Sequence, residues 1–229
     1  MKQNNKTQKF VPVIPNKLRG RTIHVPESTY RASGINFMGS RIKSLLFTTD
    51  VAIINNTNAQ GIIAVYPFTP QLSIIRAVLE VSHVPVFVGV GGGVTSGIRS
   101  MNIAMQAELL GAFGAVVNAP MTAENISLLA EHLDIPVIAT IVSPYNNYME
   151  KVKAGAKILN ISGGKNTAQL VRKIRADLGS EFPLIATGGN TDENILETIE
   201  AGANCITYTP PSTAEIFAKI MEKYRQELK

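Results

Sequence analysis

The residues of this chain that could do chemistry stand at the ends of short apolar runs. Asp50 closes the run 45–49, Tyr66 lies near the end of 61–67, Asn160 in 157–161 and Tyr208 in 205–209. A carboxylate so placed can take a proton, a phenol can donate one or stack on a ligand, and a carboxamide can orient a substrate. Two glycine clusters accompany them, Ser162-Gly163-Gly164-Lys165 and Thr187-Gly188-Gly189-Asn190. A glycine pair before a helix leaves backbone N–H groups to point at an anion. The expected anion grip has Gly188, Gly189 and Asn190 on one side and Thr209 with the start of the last helix on the other. Ser162, Gly163, Gly164 and Lys165 add a third side and one positive charge. Each has a plainer reading. Asp50 equally suits an N-cap, the tyrosines can fill a barrel layer, the glycines can admit a close helix, and Lys165 can be a solvated loop lysine.

The elements that must position these groups alternate regularly after residue 40. Apolar runs at 45–49, 61–67, 85–90, 114–118, 136–142, 157–161, 183–187 and 205–209 read as strands. Helical patterns separate them, several ending at Gly111, Gly155, Gly179 and Gly202. Asp50, Thr69-Pro70, Thr122 and Ser143-Pro144 mark helix starts, and Ser212-Thr-Ala-Glu215 is a capping box. The last helix is expected to bury Ile216, Phe217, Ile220 and Tyr224. Eight such units predict an α/β single domain, a (β/α)8 TIM barrel over residues 41–229, rather than a doubly wound open sheet. Residues 1–40, broken by Pro12, Pro15, Pro26, Gly20 and Gly34, read as an irregular N-terminal extension that caps the barrel floor or reaches a neighbouring subunit.

Composition limits the function classes. Charged residues are 17% of the chain, which suits many buried strands, and no apolar run reaches the roughly 18 residues of a membrane span. A polar N-terminus with no apolar run behind it and a single cysteine predict a cytoplasmic protein without disulfides, with Cys205 packed in the core. The net charge of +5 divides into +8 over residues 1–43 and −3 over the rest. Such an arm could meet nucleic acid, but it lacks interleaved aromatics, so a solvated segment is the expectation. The three histidines, His24, His83 and His132, lie away from the strand ends, so no metal site is expected. Gly89-Val-Gly-Gly-Gly93 fits neither a dinucleotide fingerprint nor a P-loop, and no cofactor is expected.

Several segments resemble the 2-keto-3-deoxy-6-phosphogluconate aldolase group of small barrels: Gly61-Ile-Ile-Ala-Val-Tyr-Pro-Phe-Thr-Pro70, Gly111-Ala-Phe-Gly-Ala-Val-Val-Asn-Ala-Pro-Met-Thr122, Ile135-Pro-Val-Ile138 and Ala186-Thr-Gly-Gly189. The resemblance implies a TIM barrel with a phosphate-binding glycine pair at Gly188 and Gly189. It also implies a Schiff-base lysine in strand six and a glutamate in strand two. Those positions fall on Asn160 and Ala64, with Lys157 three residues short, so the aldolase reaction is not expected. The reading is of an enzyme binding a small anionic, phosphorylated or carboxylated metabolite at the C-terminal rim. The reaction would be that of a non-Schiff-base lyase, isomerase or hydrolase, in a homo-oligomer. The alternative is a regulatory barrel that binds its ligand without turnover and touches nucleic acid through the basic arm.

Overall fold

The computed structural model describes residues 22–227 together with Phe10, Pro12 and Ile14. Most of the basic arm, and any contact it makes, lies outside the described residues. The first elements among the described residues are a 3-10 turn, Glu27–Arg31, and a small antiparallel hairpin of β1 (Ile35–Phe37) and β2 (Ser40–Ile42). Eight strands then close a parallel barrel: β3 (Ser44–Phe47), β4 (Gly61–Ala64), β5 (Val86–Gly91), β6 (Gly114–Val117), β7 (Val137–Ile141), β8 (Ile158–Ile161), β9 (Leu184–Thr187) and β10 (Cys205–Tyr208), with β10 pairing back onto β3. The helices between and after them are α1 (Val51–Ile54), α2 (Leu72–Val81), α3 (Gly97–Leu109), α4 (Ala123–His132), α5 (Tyr148–Lys153), α6 (Thr167–Leu178), α7 (Asp192–Glu200) and α8 (Thr213–Glu227). Among the described residues no helix is long and apolar enough to cross a membrane.

Side chains alternate across the sheet, as the period of two requires. The inner cluster takes one residue from every barrel strand: Leu45, Ile63, Phe87, Val116, Ile138, Ile158, Ile185 and Cys205. Ile35, Phe37 and Ile42 of the hairpin join it, with the Phe37 and Phe87 rings 4.8 Å apart and tilted by 58°. The hairpin therefore plugs the barrel floor. Residues 1–40 are not irregular throughout, because the lead-in contains the 3-10 turn, β1 and the first residue of β2. Three-residue strands are too short to show a period, and the turn between them, Met38 (φ 49°) and Gly39 (φ 85°), carries methionine where asparagine usually signals a primed hairpin. Cys205 is fully buried in this cluster, and burial pushes its thiol pKa up.

Two helix starts differ from expectation. α2 begins at Leu72 behind Gln71, not at Pro70, and α5 begins at Tyr148 behind an Asn147 cap, not at Pro144. In the first case the Gln71 N–H donates to the Tyr66 hydroxyl at 2.7 Å; in the second, Asn146 Oδ1 accepts from the N–H groups of Val142 and Ser143 and holds the loop open. The Asp50, Thr122 and Ser212 caps form as read.

The expected burial of the last helix fails. α8 buries none of its residues fully: Ile216 packs partly against the core, while Phe217 and Tyr224 are 62% and 43% exposed. The outer faces of β3 and β10, Leu46 and Ile206, share a cluster with Val25 and Ala32 of the lead-in. The lead-in is fastened there by Ser28 Oγ, which donates to Asp192 Oδ1 at 2.6 Å, and by Gly34 N, which donates to the Asn204 carbonyl at 2.7 Å.

Candidate functional site

Above the apolar layer, the inward positions turn polar. Asn118 follows β6, Thr140 lies in β7, Asn160 in β8, Thr187 in β9 and Thr207 in β10. With Ser162, Thr209 and an apolar side that includes Phe47 and Val65, they line a mouth cavity of about 210 Å³ at the C-terminal end. Alternation fixes the set: with Cys205 inward, Thr207 must follow it inward and Tyr208 must face out. The Asn160 amide donates weakly to Thr140 Oγ1 at 3.4 Å, across the β7–β8 register pair. Asn160 Oδ1 and Thr207 Oγ1 are buried with no partner among the described residues. Each such group costs about 1–3 kcal/mol when left unsatisfied, so the polar layer is maintained against stability.

Two further cavities adjoin the mouth. One of about 120 Å³ shares Val65 and Asn118 with it and is lined by Tyr66, Gly91, Gly92 and Thr95. Tyr66 accepts from Gln71 N, which leaves its own proton to donate. The other, about 340 Å³, shares Thr187 and lies between the loop after β8 and the loop after β9. Gly164, Lys165, Gly189 and Asn194 line it, and so does the carboxylate-bearing Glu197. Glu197 escaped the sequence reading. It shares an α7 face with Asn194 and Thr198, a spacing visible once the helix start is known.

The predicted site residues divide between these places. Asn160, Ser162 and Thr209 line the mouth, Tyr66 the second cavity, and Gly164, Lys165, Gly188 and Gly189 the third. Two of the expected anion donors are already used: Gly163 N–H donates to Thr167 Oγ1 at 3.0 Å and Gly188 N–H to the Thr207 carbonyl at 3.3 Å. A Cβ on Gly188 would come within 2.8 Å of Ile206 and 3.0 Å of Ile195, so close packing of α7 accounts for that glycine. Asn190 is exposed and lines none of the three cavities, and Tyr208 packs among the outer core residues. The cavity beside Gly188 and Gly189 thus opens toward Lys165 rather than toward the loop after β10.

Asp50 stands outside the mouth lining. Its Oδ1 accepts from Ala52 N at 2.9 Å and Ile53 N at 3.2 Å, and its Oδ2 accepts from the Thr213 hydroxyl at the start of α8. The Thr213 hydrogen bond, helped by the capping N–H groups and opposed by partial burial, holds its pKa below the ordinary 3.8. A lowered folded-state pKa stabilises the fold above about pH 4 and loses that contribution as pH falls through the folded value. Asp50→Ala is expected to cost about 1 kcal/mol at neutral pH, with the difference from the parent shrinking in acid. Urea titrations at neutral and acid pH read both effects, and an unchanged midpoint at neutral pH would remove this capping role.

Across the three cavities the titratable lining residues are Tyr66, Lys165 and Glu197. Among the described residues no three His, Cys, Asp or Glu side chains converge. A magnesium ion is held chiefly through carboxylates and substrate phosphates, and the mouth offers it hydroxyls and carboxamides, so these residues do not fit a protein-held magnesium. The two chemical positions of the resembling aldolases are now placed. Asn160 lines the mouth, and Lys157 lies at the floor, beside Phe113 and Pro136 in a separate cavity of about 590 Å³. Ala64 faces the outer core, and the inward residue next to it, Val65, is also apolar.

No protein-family model and no curated protein sequence matches the chain. Solved structures do. A phosphonopyruvate hydrolase in complex with oxalate and magnesium is 13% identical over 81% of this chain and 82% of that one, with a TM-score of 0.62. The fold is the TIM barrel. A phosphoenolpyruvate phosphomutase from Streptomyces platensis subsp. rosaceus is 12% identical over 80% of each chain, with a TM-score of 0.60. A putative dihydrodipicolinate synthetase from Pseudomonas aeruginosa is 16% identical over 72% of this chain and 69% of that one, with a TM-score of 0.57. At these identities the likeness shows the shared barrel alone.

Proposed function

We propose that the chain is an enzyme of the hydrolase, lyase or isomerase type, acting on a small hydroxylated and anionic metabolite bound at the barrel mouth. The observation that carries this reading is the pair of buried, unpartnered polar atoms, Asn160 Oδ1 and Thr207 Oγ1, at the end of the barrel where sites of this fold lie. Asn160 Oδ1 accepts a hydrogen bond from a ligand hydroxyl or amide, and Thr207 supplies a hydroxyl that both donates and accepts. Lys165 and the backbone beside Gly189 receive the anionic end in the adjoining cavity. Tyr66 donates a proton from the other side. Neighbours named as a hydrolase and a mutase favour an enzyme over a passive barrel. Asn160 in place of a lysine favours chemistry without a Schiff base.

The test is a panel of phosphorylated and carboxylated metabolites screened by thermal shift. A ligand that binds only the native state raises its stability with concentration. Asn160→Leu is expected to abolish that rise while leaving the unliganded melting temperature unchanged or higher, because it removes an unpaired acceptor. A ligand that stabilises both proteins equally places the site elsewhere. A second reading, ligand binding without turnover, is favoured by the lack of any carboxylate, histidine or lysine among the described residues that line the mouth. Following the bound ligand by NMR separates the two: conversion supports the enzyme, and an unaltered ligand supports a sensor.

A further inference from the structure

The cavity between the loops after β8 and β9 holds two opposite charges that do not meet. Lys165 lines it from the β8 side and Glu197 from α7, and neither makes an ion pair or a side-chain hydrogen bond among the described residues. α7 carries no lysine or arginine, so Glu197 has no cation on its own helix to turn to. Asn194, one helical turn before Glu197, adds a carboxamide to the same wall. That carboxamide has no hydrogen-bond partner among the described residues either. It lies over Gly189, where an added Cβ would come within 3.2 Å of Asn194 Cβ and 3.3 Å of its Nδ2. The space these groups enclose, about 340 Å³, is within the range of small-ligand sites.

This charge pattern limits what can fill the cavity. An anion drawn to Lys165 is repelled by Glu197, and a cation drawn to Glu197 is repelled by Lys165. A group that carries both charges close together gains from each. One lysine balances a carboxylate, whereas a dianionic phosphate would leave surplus negative charge beside Glu197. We propose that this cavity binds the α-amino acid end of the substrate, with the carboxylate on Lys165 and the ammonium on Glu197 and Asn194 Oδ1. Given the mouth as the substrate site, on which this proposal rests, the ligand's side chain passes Thr187, which lines both cavities, toward Asn160 and Thr207. Glu197 is then a specificity residue, turning away purely anionic competitors as well as holding the amine. Both charged side chains are exposed to solvent, so binding weakens as salt rises.

Isothermal titration of the full chain with the proteinogenic L-amino acids tests this, each set beside the acid that has a hydroxyl in place of the ammonium. A polar amino acid is expected to bind, and more tightly than its hydroxy-acid counterpart. Glu197→Gln should weaken the amino acid several-fold and leave the hydroxy acid as tight or tighter, while Lys165→Met should weaken both. Both positions are exposed, so the two variants are expected to keep the parent's melting temperature. Asn160→Leu separates this proposal from the reading beneath it. An amino acid held equally by the parent and Asn160→Leu, yet weakened by Glu197→Gln, upholds the amino-acid cavity and overturns the mouth as its companion. Hydroxy acids or phosphorylated acids that bind through Asn160, with no gain from an ammonium, overturn the amino-acid cavity and leave the mouth standing. No binding of any amino acid up to its solubility overturns the proposal, and so does an undiminished affinity in Glu197→Gln.

Discussion

Gly92→Val is expected to lower the melting temperature by about 10 °C and to deform the barrel mouth. Gly92 has a φ of +131°, a region closed to side-chain-bearing residues at modest cost. A Cβ there would lie 2.6 Å from Asn118 Cβ and 2.9 Å from Asn118 N, both too close to keep. Neither segment can step aside easily. Gly92 N donates to the Thr95 carbonyl at 2.8 Å, and Asn118 N donates to the Gly91 carbonyl at 2.9 Å. Backbone strain and overpacking together cost about 3–5 kcal/mol. At about 2–4 °C per kcal/mol for a chain of this size, that is the shift above. Because Asn118 lines both the mouth and the cavity beside it, ligand binding should fall further than stability alone explains. Calorimetry gives the first result and ligand titration the second; a melting temperature within about 2 °C of the parent would defeat the crowding argument.

The second large effect belongs to the opposite end. Phe87 is fully buried where the inner layer meets the hairpin, with its ring against Phe37 and its edge against Gly61 and Gly114. Phe87→Ala removes the largest side chain of that layer and leaves a void that rigid strands cannot close. The expected loss is about 3–5 kcal/mol. The hairpin should feel it first, since Phe37 loses its aromatic neighbour, so amide exchange in residues 35–42 should accelerate more than exchange in β7 and β8. Uniform acceleration across all strands would show that the plug and the barrel unfold as one.

The barrel strands were legible because each is a short apolar run, several of them with a helix-stop glycine before or a helix cap after. Their bounds moved by at most three residues. The hairpin was not legible, because its meaning depends on Phe87, Ile138 and Ile185 standing far along the chain to receive it. For the same reason α8 was misread. Its spacing correctly announces an apolar face, but spacing says nothing of how much of that face the wall takes up: Ile216 packs partly against the core while Phe217 stays exposed. At the site, strand alternation would have placed Asn160 and Thr207 inward and Tyr208 outward from residue order alone. Asp50 shows the limit more sharply: a carboxylate at a strand end reads equally as base or cap, and only its contacts with Ala52, Ile53 and Thr213 give its geometry. Gly163 and Gly188 looked like free donors because the hydroxyl of Thr167 and the carbonyl of Thr207 come from outside their own motifs.

The fastening of the lead-in also sets the order in which the chain can assemble. Ser28 waits for Asp192, 164 residues later, and Gly34 waits for Asn204. On a ribosome adding about 5–20 residues per second, the gap lasts on the order of 10–30 s. Throughout that interval the first barrel strand, β3, has one edge without its partner β10, and the hairpin has no completed floor to enter. Contacts so distant in sequence make for slow closure. The part of the molecule synthesised first is therefore among the last to be secured, and a nascent chain stalled before residue 204 would present open strand edges to whatever chaperones meet it.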